Sequence, residues 1–150
     1  MSDWYPPVGF HFKVKVGLSS VSNEPKESRF QEVSGLSKGL EVEEWSEGGE
    51  NRFIHRLPLA TKYGNVTLKR GMFTGSKLID WCFDAIDHFS FKPVDIDITL
   101  LNEQHQAVSV WNLVNAYPVK WSVTDFKAQD NSILIESLEL AFQYFTKKDN

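Results

Sequence analysis

The chain has 150 residues, 41% of them hydrophobic and 24% charged, the proportions of an ordinary globular domain rather than a disordered or fibrous chain. At this length one core buries roughly 70% of the unfolded surface, so the fold needs no covalent staples, and the single cysteine, Cys82, has no partner for an internal disulfide. A formal net charge of −4 argues against a nucleic-acid surface, which would be basic, and no apolar run reaches the roughly 18 residues that a membrane-spanning helix requires.

The opening MSDWYPPVGF has no basic stretch followed by an apolar run, so no secretory signal is expected, and the lone cysteine suits folding in a reducing cytoplasm. From Phe10 to Leu18 the chain alternates strictly. Phe10, Phe12, Val14, Val16 and Leu18 fall on one face and His11, Lys13 and Lys15 on the other, which predicts a half-buried strand. Polar Ser19 to Ser28, containing Pro25, reads as a loop. RFQEV then reads as a strand, and Gly35 to Asn51 as a charged excursion broken by Gly48-Gly49. Strand character resumes at FIHRLP, turns at Tyr63-Gly64-Asn65 and continues through Val66, Leu68 and Arg70. Lys69 and Arg70 are adjacent in a strand and point to opposite faces, so they cannot converge on one phosphate; a structural salt link, or contact with an acidic neighbouring subunit, is the expectation.

One helix is predicted, from about Ser76 to His88. Thr74 or Ser76 caps its first turn, Leu78, Cys82, Ala85, Ile86 and Phe89 form its apolar stripe, and Asp80, Asp84 and Asp87 lie opposite. Beyond Pro93, Val94, Ile96, Ile98 and Leu100 alternate with Asp95, Asp97 and Thr99. Asn102 to Gln106 makes a hairpin turn into a partner strand, Ala107 to Tyr117, that ends at Pro118. Lys120 to Asn131 is mixed, with Trp121 and Phe126 as anchors. A last strand runs from Ser132 to about Phe145, with Leu134, Leu138, Leu140, Phe142 and Tyr144 on one face. The pattern predicts a single mainly β domain over 1–150, a small two-sheet antiparallel β-barrel or sandwich with one flanking α-helix.

Candidate chemistry is sparse. The histidines at 11, 55, 88 and 105 lie on different elements without metal-ligand spacing, and Asp84 with His88 suits an ordinary helix ion pair. Cys82 sits on the apolar stripe as a small buried hydrophobe. Asp95 with Asp97, and Glu41 with Glu43 if that stretch is extended, are paired carboxylates of the kind used in glycoside cleavage, yet on an exposed strand face they read as solvated or as paired with basic residues across the sheet, Lys13 and Lys15 supplying partners if their strand lies beside Val94 to Leu100. Gly48-Gly49 belongs to no nucleotide-binding motif. No catalytic, cofactor-binding or metal-binding residues are assigned, and the chain is read as a non-enzyme. The segment Glu41 to Arg52, with its glutamates, Trp45 and Arg52, is either a solvated loop or an interaction arm.

Seven fragments in order carry a resemblance: RFQEVSGL (Arg29 to Leu36), EGGENRF (Glu47 to Phe53), LKRG (Leu68 to Gly71), LIDW (Leu78 to Trp81), LLNE (Leu100 to Glu103), the Trp111 to Pro118 strand, and IESLELAF (Ile135 to Phe142). Together they resemble the tail tube proteins of contractile phages and of extracellular contractile injection systems. EGGENRF with Lys120, Trp121 and Phe126 is similar to the baseplate-proximal tube paralogue. The resemblance implies a homo-hexameric ring that stacks with other tube rings inside a sheath, on baseplate and spike components, as a conduit for cargo. It implies assembly in the cytoplasm, presence in a phage tail or released particle, no cofactor, no specific nucleic acid and no direct membrane insertion. On this reading Glu43, Trp45, Glu47, Gly48, Gly49, Glu50, Asn51 and Arg52 form the contact between rings, and His11, Lys13, Lys15, Asp95, Asp97 and Thr99 line the lumen. The competing readings are a small-ligand-binding β-barrel with a tryptophan-lined pocket, and a hydrolase using its paired carboxylates.

Overall fold

The computed structural model describes residues 11–18, 25–46, 48–49, 52–124 and 134–149. In chain order the elements are β1 (His11–Val16), α1 (Pro25–Ser28), β2 (Arg29–Phe30), β3 (Glu32–Ser34), β4 (Lys38–Trp45), β5 (His55–Tyr63), β6 (Val66–Gly71), α2 (Lys77–His88), β7 (Val94–Leu101), β8 (Ala107–Val123), β9 (Ile135–Ala141) and β10 (Tyr144–Asp149). Phe10, residues 19–24, Glu47, Glu50, Asn51 and the segment 125–133 with Phe126 lie outside the described residues.

Alternation builds the first layer. In β1, Val14 and Val16 are buried while Lys13 and Lys15 are exposed. The strand pairs antiparallel with β7, register Val14 to Ile98 and Lys15 to Asp97, and β7 pairs with β8. The turn between β7 and β8 is held by Asn102, whose side-chain oxygen accepts from the backbone N–H groups of Gln104 at 3.0 Å and Gln106 at 2.9 Å. This is the hairpin expected over Asn102 to Gln106.

Strand β8 does not end at Pro118 as its sequence suggests. It runs 17 residues, Ala107–Val123. Its first half pairs with β7 and β10, its second half with β9, so it belongs to both layers. The proline is accommodated because the register to β9 slips between Pro118 and Lys120; bulges are where a strand tolerates the missing donor, and they bend it. The second layer continues β8-β9-β6-β3.

The expected single last strand is in fact two. The chain breaks at Phe142 and Gln143, where the Gln143 N–H donates to the Val114 carbonyl at 2.9 Å, and β10 then pairs with the first half of β8. The break shifts the alternation by one residue. Phe145 is therefore buried and Tyr144 is exposed, the reverse of the simple period-two reading.

The two ends of the strand path, β2 and β3, are consecutive in sequence. The N–H of Gln31 between them donates to Lys69 at 2.9 Å. The path thus folds back toward its start, but β2 and β3 share no ladder and the sheets do not close into a hydrogen-bonded barrel. Gly35 lets the chain leaving β3 lie close against the start of β6: its φ is +87°, and a Cβ there would run into the Asn65 carbonyl oxygen. Between the layers Val14, Ile96, Ile98 and Leu113 meet Leu68, Leu138 and Leu140, and α2 adds Leu78, Trp81 and Cys82 to the same cluster. Ser76 caps α2 as expected, its hydroxyl accepting from Ile79 N–H at 3.3 Å. Pro25, placed in a loop by sequence, opens the short α1, where a first-turn proline costs no hydrogen bond.

Strands β4 and β5 form a separate two-stranded sheet. The region read as a charged excursion is therefore a hairpin arm. Glutamates and glycines masked its strand character, and Leu40, Val42, Leu57 and Leu59 carry it.

Candidate assembly surfaces

A buried polar knot fixes the helix to the sheets. Arg70 points inward beside Val66 and Leu68 and is 2% exposed. Its Nε donates to Glu136 Oε1 at 2.8 Å, one terminal nitrogen to the Glu27 carbonyl at 2.6 Å, and the other to Ser76 Oγ at 2.7 Å. The guanidinium is stacked between Phe30 and Phe73, at 4.9 and 4.6 Å from their ring centres. Glu27 Oε1 in turn accepts from the Ser76 hydroxyl at 2.5 Å and from the Leu78 N–H at 3.2 Å, so a carboxylate sits at the positive end of α2, where it is favoured. Glu136 Oε2 accepts from the Trp121 indole at 3.1 Å. The expected salt link of Arg70 is present, with Lys69 turned outward to Glu32 at 3.3 Å. Glu27 and Glu136 were missed by the sequence reading. Glu136 shares the even phase of β9 with Leu138 and Leu140, and a carboxylate in an apolar phase was the available signal.

Cys82 is completely buried. Burial, reinforced by the negative charges of Glu136 and Asp87, pushes its thiol up to about 12, so it is held as the thiol and is not a nucleophile. Among the described residues no group of three or more His, Cys, Asp or Glu gathers to hold a metal ion. Asp97 accepts from Asn112 at 2.6 Å and Asp95 from the Asn115 N–H at 3.2 Å; both carboxylates serve cross-strand contacts of β7 with β8. The described tryptophans do not surround one pocket. Trp81 donates to the Lys92 carbonyl, Trp121 packs edge-on against Phe83, Trp111 lies under Lys147 and Trp45 is on the arm.

The register brings the expected lumen residues onto one outer face. Lys13 pairs with Thr99, Thr99 with Val110 and Val110 with Lys148; Lys15 pairs with Asp97, Asp97 with Asn112 and Asn112 with Thr146. Asp95 follows in the same phase of β7. His11 lies at the end of this face, where its Nε2 is 3.1 Å from Nδ1 of His105 and Arg29 approaches the same Nδ1 at 3.5 Å. The four-stranded layer β1-β7-β8-β10 ends in two strand margins. Among the described residues, β1 has no second neighbour beyond Lys13, and β10 pairs on one side only.

The arm is the second surface. Every residue of β4 is exposed, and so is all of β5 except its ends. Cross-strand pairing of Trp45 with His55 and Glu43 with Leu57 puts Trp45, Leu57 and Leu59 on one face, with Glu43, while Leu40 and Val42 lie on the other, the register shifting between them. At the root, Tyr63 packs edge-on against Phe142 and Phe145, at 5.9 and 5.4 Å. Toward the tip, His55 lies between Trp45 at 5.4 Å and Phe53 at 5.0 Å. Of the expected inter-ring residues, Glu43 and Trp45 are on the arm's strands and Gly48, Gly49 and Arg52 at its turn; Glu47, Glu50 and Asn51 are outside the described residues.

The T4-like virus tail tube protein gp19 family model matches residues 8–146, nearly the whole chain. The chain belongs to this tail tube family. A chain in the sixfold-symmetrised baseplate of the anti-feeding prophage is 32% identical over 99% of this tail tube protein and 98% of its own length, with a TM-score of 0.77. A chain in the cap that terminates the anti-feeding prophage tube is 25% identical, covers 100% and 95%, and has a TM-score of 0.74. A chain in the extended sheath-tube complex of the PVC extracellular contractile injection system is 25% identical, covers 97% and 93%, and has a TM-score of 0.73. No curated protein matches the sequence. The tail tube resemblance carried by the seven fragments, and the mainly β fold with one long helix, are thus both borne out.

Proposed function

We propose that this tail tube protein forms hexameric rings that stack into the inner conduit of a contractile injection particle, and that its ring is the first one, at the baseplate. The single observation that carries this reading is the four-stranded layer with a polar outer face whose two margins, β1 beyond Lys13 and β10, have no outer neighbour among the described residues. Set side by side around a closed rotation, β10 of one copy meets β1 of the next. Such a contact is heterologous and closes into a ring, and pairing removes the strand edges that otherwise invite aggregation. His11, Lys13, Lys15, Asp95, Asp97 and Thr99 then line the lumen, where mixed charge lets cargo pass without adhering.

The arm contacts the next ring through Trp45 and its neighbours at 43–52. The sixfold baseplate relative, at 32% identity, favours the tube-initiating position, and the sheath-tube relative favours a surrounding sheath. Assembly takes place in the cytoplasm and the product acts as part of a released particle. No chemistry is required of the chain. Native mass spectrometry and negative-stain electron microscopy of the purified protein test the proposal: six-copy rings and short stacks are the expected result. A strictly monomeric species at high concentration rejects it, and a ring repeated along the whole tube in labelled particles rejects the baseplate position.

A further inference from the structure

One flank of α2 leaves Phe83, Ile86, Phe89 and Phe91 exposed. The flank is built from aromatic contacts. Phe83 packs edge-on against Trp121 at 5.1 Å, Phe89 against Phe91 at 4.9 Å, and Phe91 against Tyr117 at 5.7 Å. Phe89, 82% exposed, ends the helix in the left-handed region at φ 55°, where glycine is the usual occupant. A strained backbone that holds a phenylalanine out in solvent is the kind of outlier from which function is inferred.

Tyr117 and Trp121 belong to the second half of β8, and the strand edge there is open. The Thr124 N–H donates to the Ile135 carbonyl at 2.9 Å, so by antiparallel alternation Lys120 and Ser122 turn their backbone groups to β9, and Trp121 and Val123 turn theirs away. The β7 ladder stops at Ala116, and among the described residues no strand takes its place beyond that point. The flank is thus an aromatic floor beside an unpaired edge. It also lies at a fixed end of the molecule. β1 and β8 are both antiparallel to β7 and run the same way, with His11 opposite Leu101 and Leu101 opposite Ala107. The chain therefore enters β1 at the end where β8 begins, and the flank sits toward the end where β8 finishes.

We propose that Trp4 and Tyr5 of one copy, carried on the adjoining Pro6 and Pro7, seat on the α2 flank of a copy in the next ring, against Phe83, Ile86, Phe89 and Phe91. The inference rests on the tube reading and adds a contact between stacked rings. Trp4 to Phe10 reads WYPPVGF and carries no charge. Prolines preset an extended, left-handed backbone that needs no ladder partner, and segments of this kind dock in aromatic-lined grooves at low entropic cost. Length assigns the seat to a second copy. Trp4 is seven residues before His11, a reach of about 25 Å, whereas Trp121 lies fourteen residues beyond Ala107, roughly 45 Å along the strand. The same chain cannot close that distance. A head-to-tail stack can, because it brings the entry end of β1 in one ring over the finishing end of β8 in the next. Two different patches on one molecule then give a contact that propagates rather than a closed dimer.

The test is cross-linking of the assembled protein carrying Trp4→Cys together with Ile86→Cys, using a short bis-maleimide. Ile86 is exposed and the native Cys82 is buried. A ladder extending beyond dimers on a denaturing gel is expected from this pair. It is not expected from either single variant, or from Trp4→Cys with Glu32→Cys on the far margin of the second layer. Stacked rings in the micrographs without the ladder, with a link confined to one chain, or with an equal ladder in the Glu32 control overturn the seat and leave the tube reading standing. A protein that stays monomeric overturns both. Trp4→Ala gives an independent reading. Single rings should form as before, while the concentration needed for stacking rises by about tenfold or more, as for a lost aromatic anchor, and Trp4→Phe should recover much of the loss. An unchanged stacking threshold in Trp4→Ala overturns the seat.

Discussion

Single residues decide this fold where backbone or charge leaves no alternative. Gly35 is one. Gly35→Ala combines a left-handed φ, worth about 1–2 kcal/mol for an L-residue, with a collision against the Asn65 carbonyl oxygen. Its melting temperature should fall by several degrees, and an unchanged melt would show that the β3–β6 crossing relaxes freely. Arg70 is another. Arg70→Met leaves Glu27 and Glu136 facing each other without their cation, and removing one member of a buried ionic group costs about 3–5 kcal/mol. Chemical denaturation should report a loss of that size, and Arg70→Lys should recover part of it but lack the bidentate, stacked geometry. Cys82 gives a pH signature. The unfolded thiol ionises near its ordinary 9.0, whereas burial holds the folded thiol to about 12. Its contribution to stability is therefore complete below about pH 9 and is lost as pH rises toward 12. Cys82→Ser places a hydroxyl in the same apolar site, at a cost of about 1–3 kcal/mol, and removes that alkaline component from the stability profile. A variant that melts like the parent would contradict this.

At the level of elements, legibility in the sequence followed the strength of the local period. β1, β7 and α2 were readable because Val14, Val16, Ile96 and Ile98 alternate without interruption and Ser76 offers a cap. Three elements were not. The arm has no buried side to impose a pattern, so Glu41, Glu43 and Glu44 made β4 look like a loop, and β5 was legible only at its start, in FIHRLP. β8 passes Pro118 because a bulge absorbs the proline, and a bulge has no sequence mark of its own. The last strand changes phase at Phe142 and Gln143 because its two halves pair with different stretches of β8, a tertiary fact. The candidate surfaces divide the same way. The outer face of Lys13, Lys15, Asp97 and Thr99 followed from alternation alone. The knot of Glu27 and Glu136 needed the registers, and the α2 flank was hidden because Ile86 and Phe89 were counted with the buried stripe. The arm's own prediction belongs here: Trp45→Ala removes a side chain that is 52% exposed, so the monomer should melt as before. Contact between rings should weaken by about 2 kcal/mol or more if the indole is an anchor. Sedimentation of stacks against concentration measures it, and undiminished stacking would remove Trp45 from the contact.

For the whole molecule, the division of labour is plain. Among the described residues the interior is sealed by apolar packing around the Arg70 knot, while the arm and the large apolar side chains beside α2 stay exposed. On the proposed tube, mixed charge on the outer face of the β1-β7-β8-β10 layer predicts tolerance: Lys15→Gln or Asp97→Asn should leave ring formation intact and alter only what passes along the channel. Failure of rings to form in either variant would move those residues from lumen to interface. The passage of β8 through both layers has a mechanical corollary. Tension arriving at one sheet reaches the other along a continuous polypeptide rather than across side chains. The ladders flanking β8 on each side are then loaded lengthwise, many bonds at once, instead of being peeled open singly. A particle that drives its core forward in a single stroke would be served by a wall whose two skins are one thread.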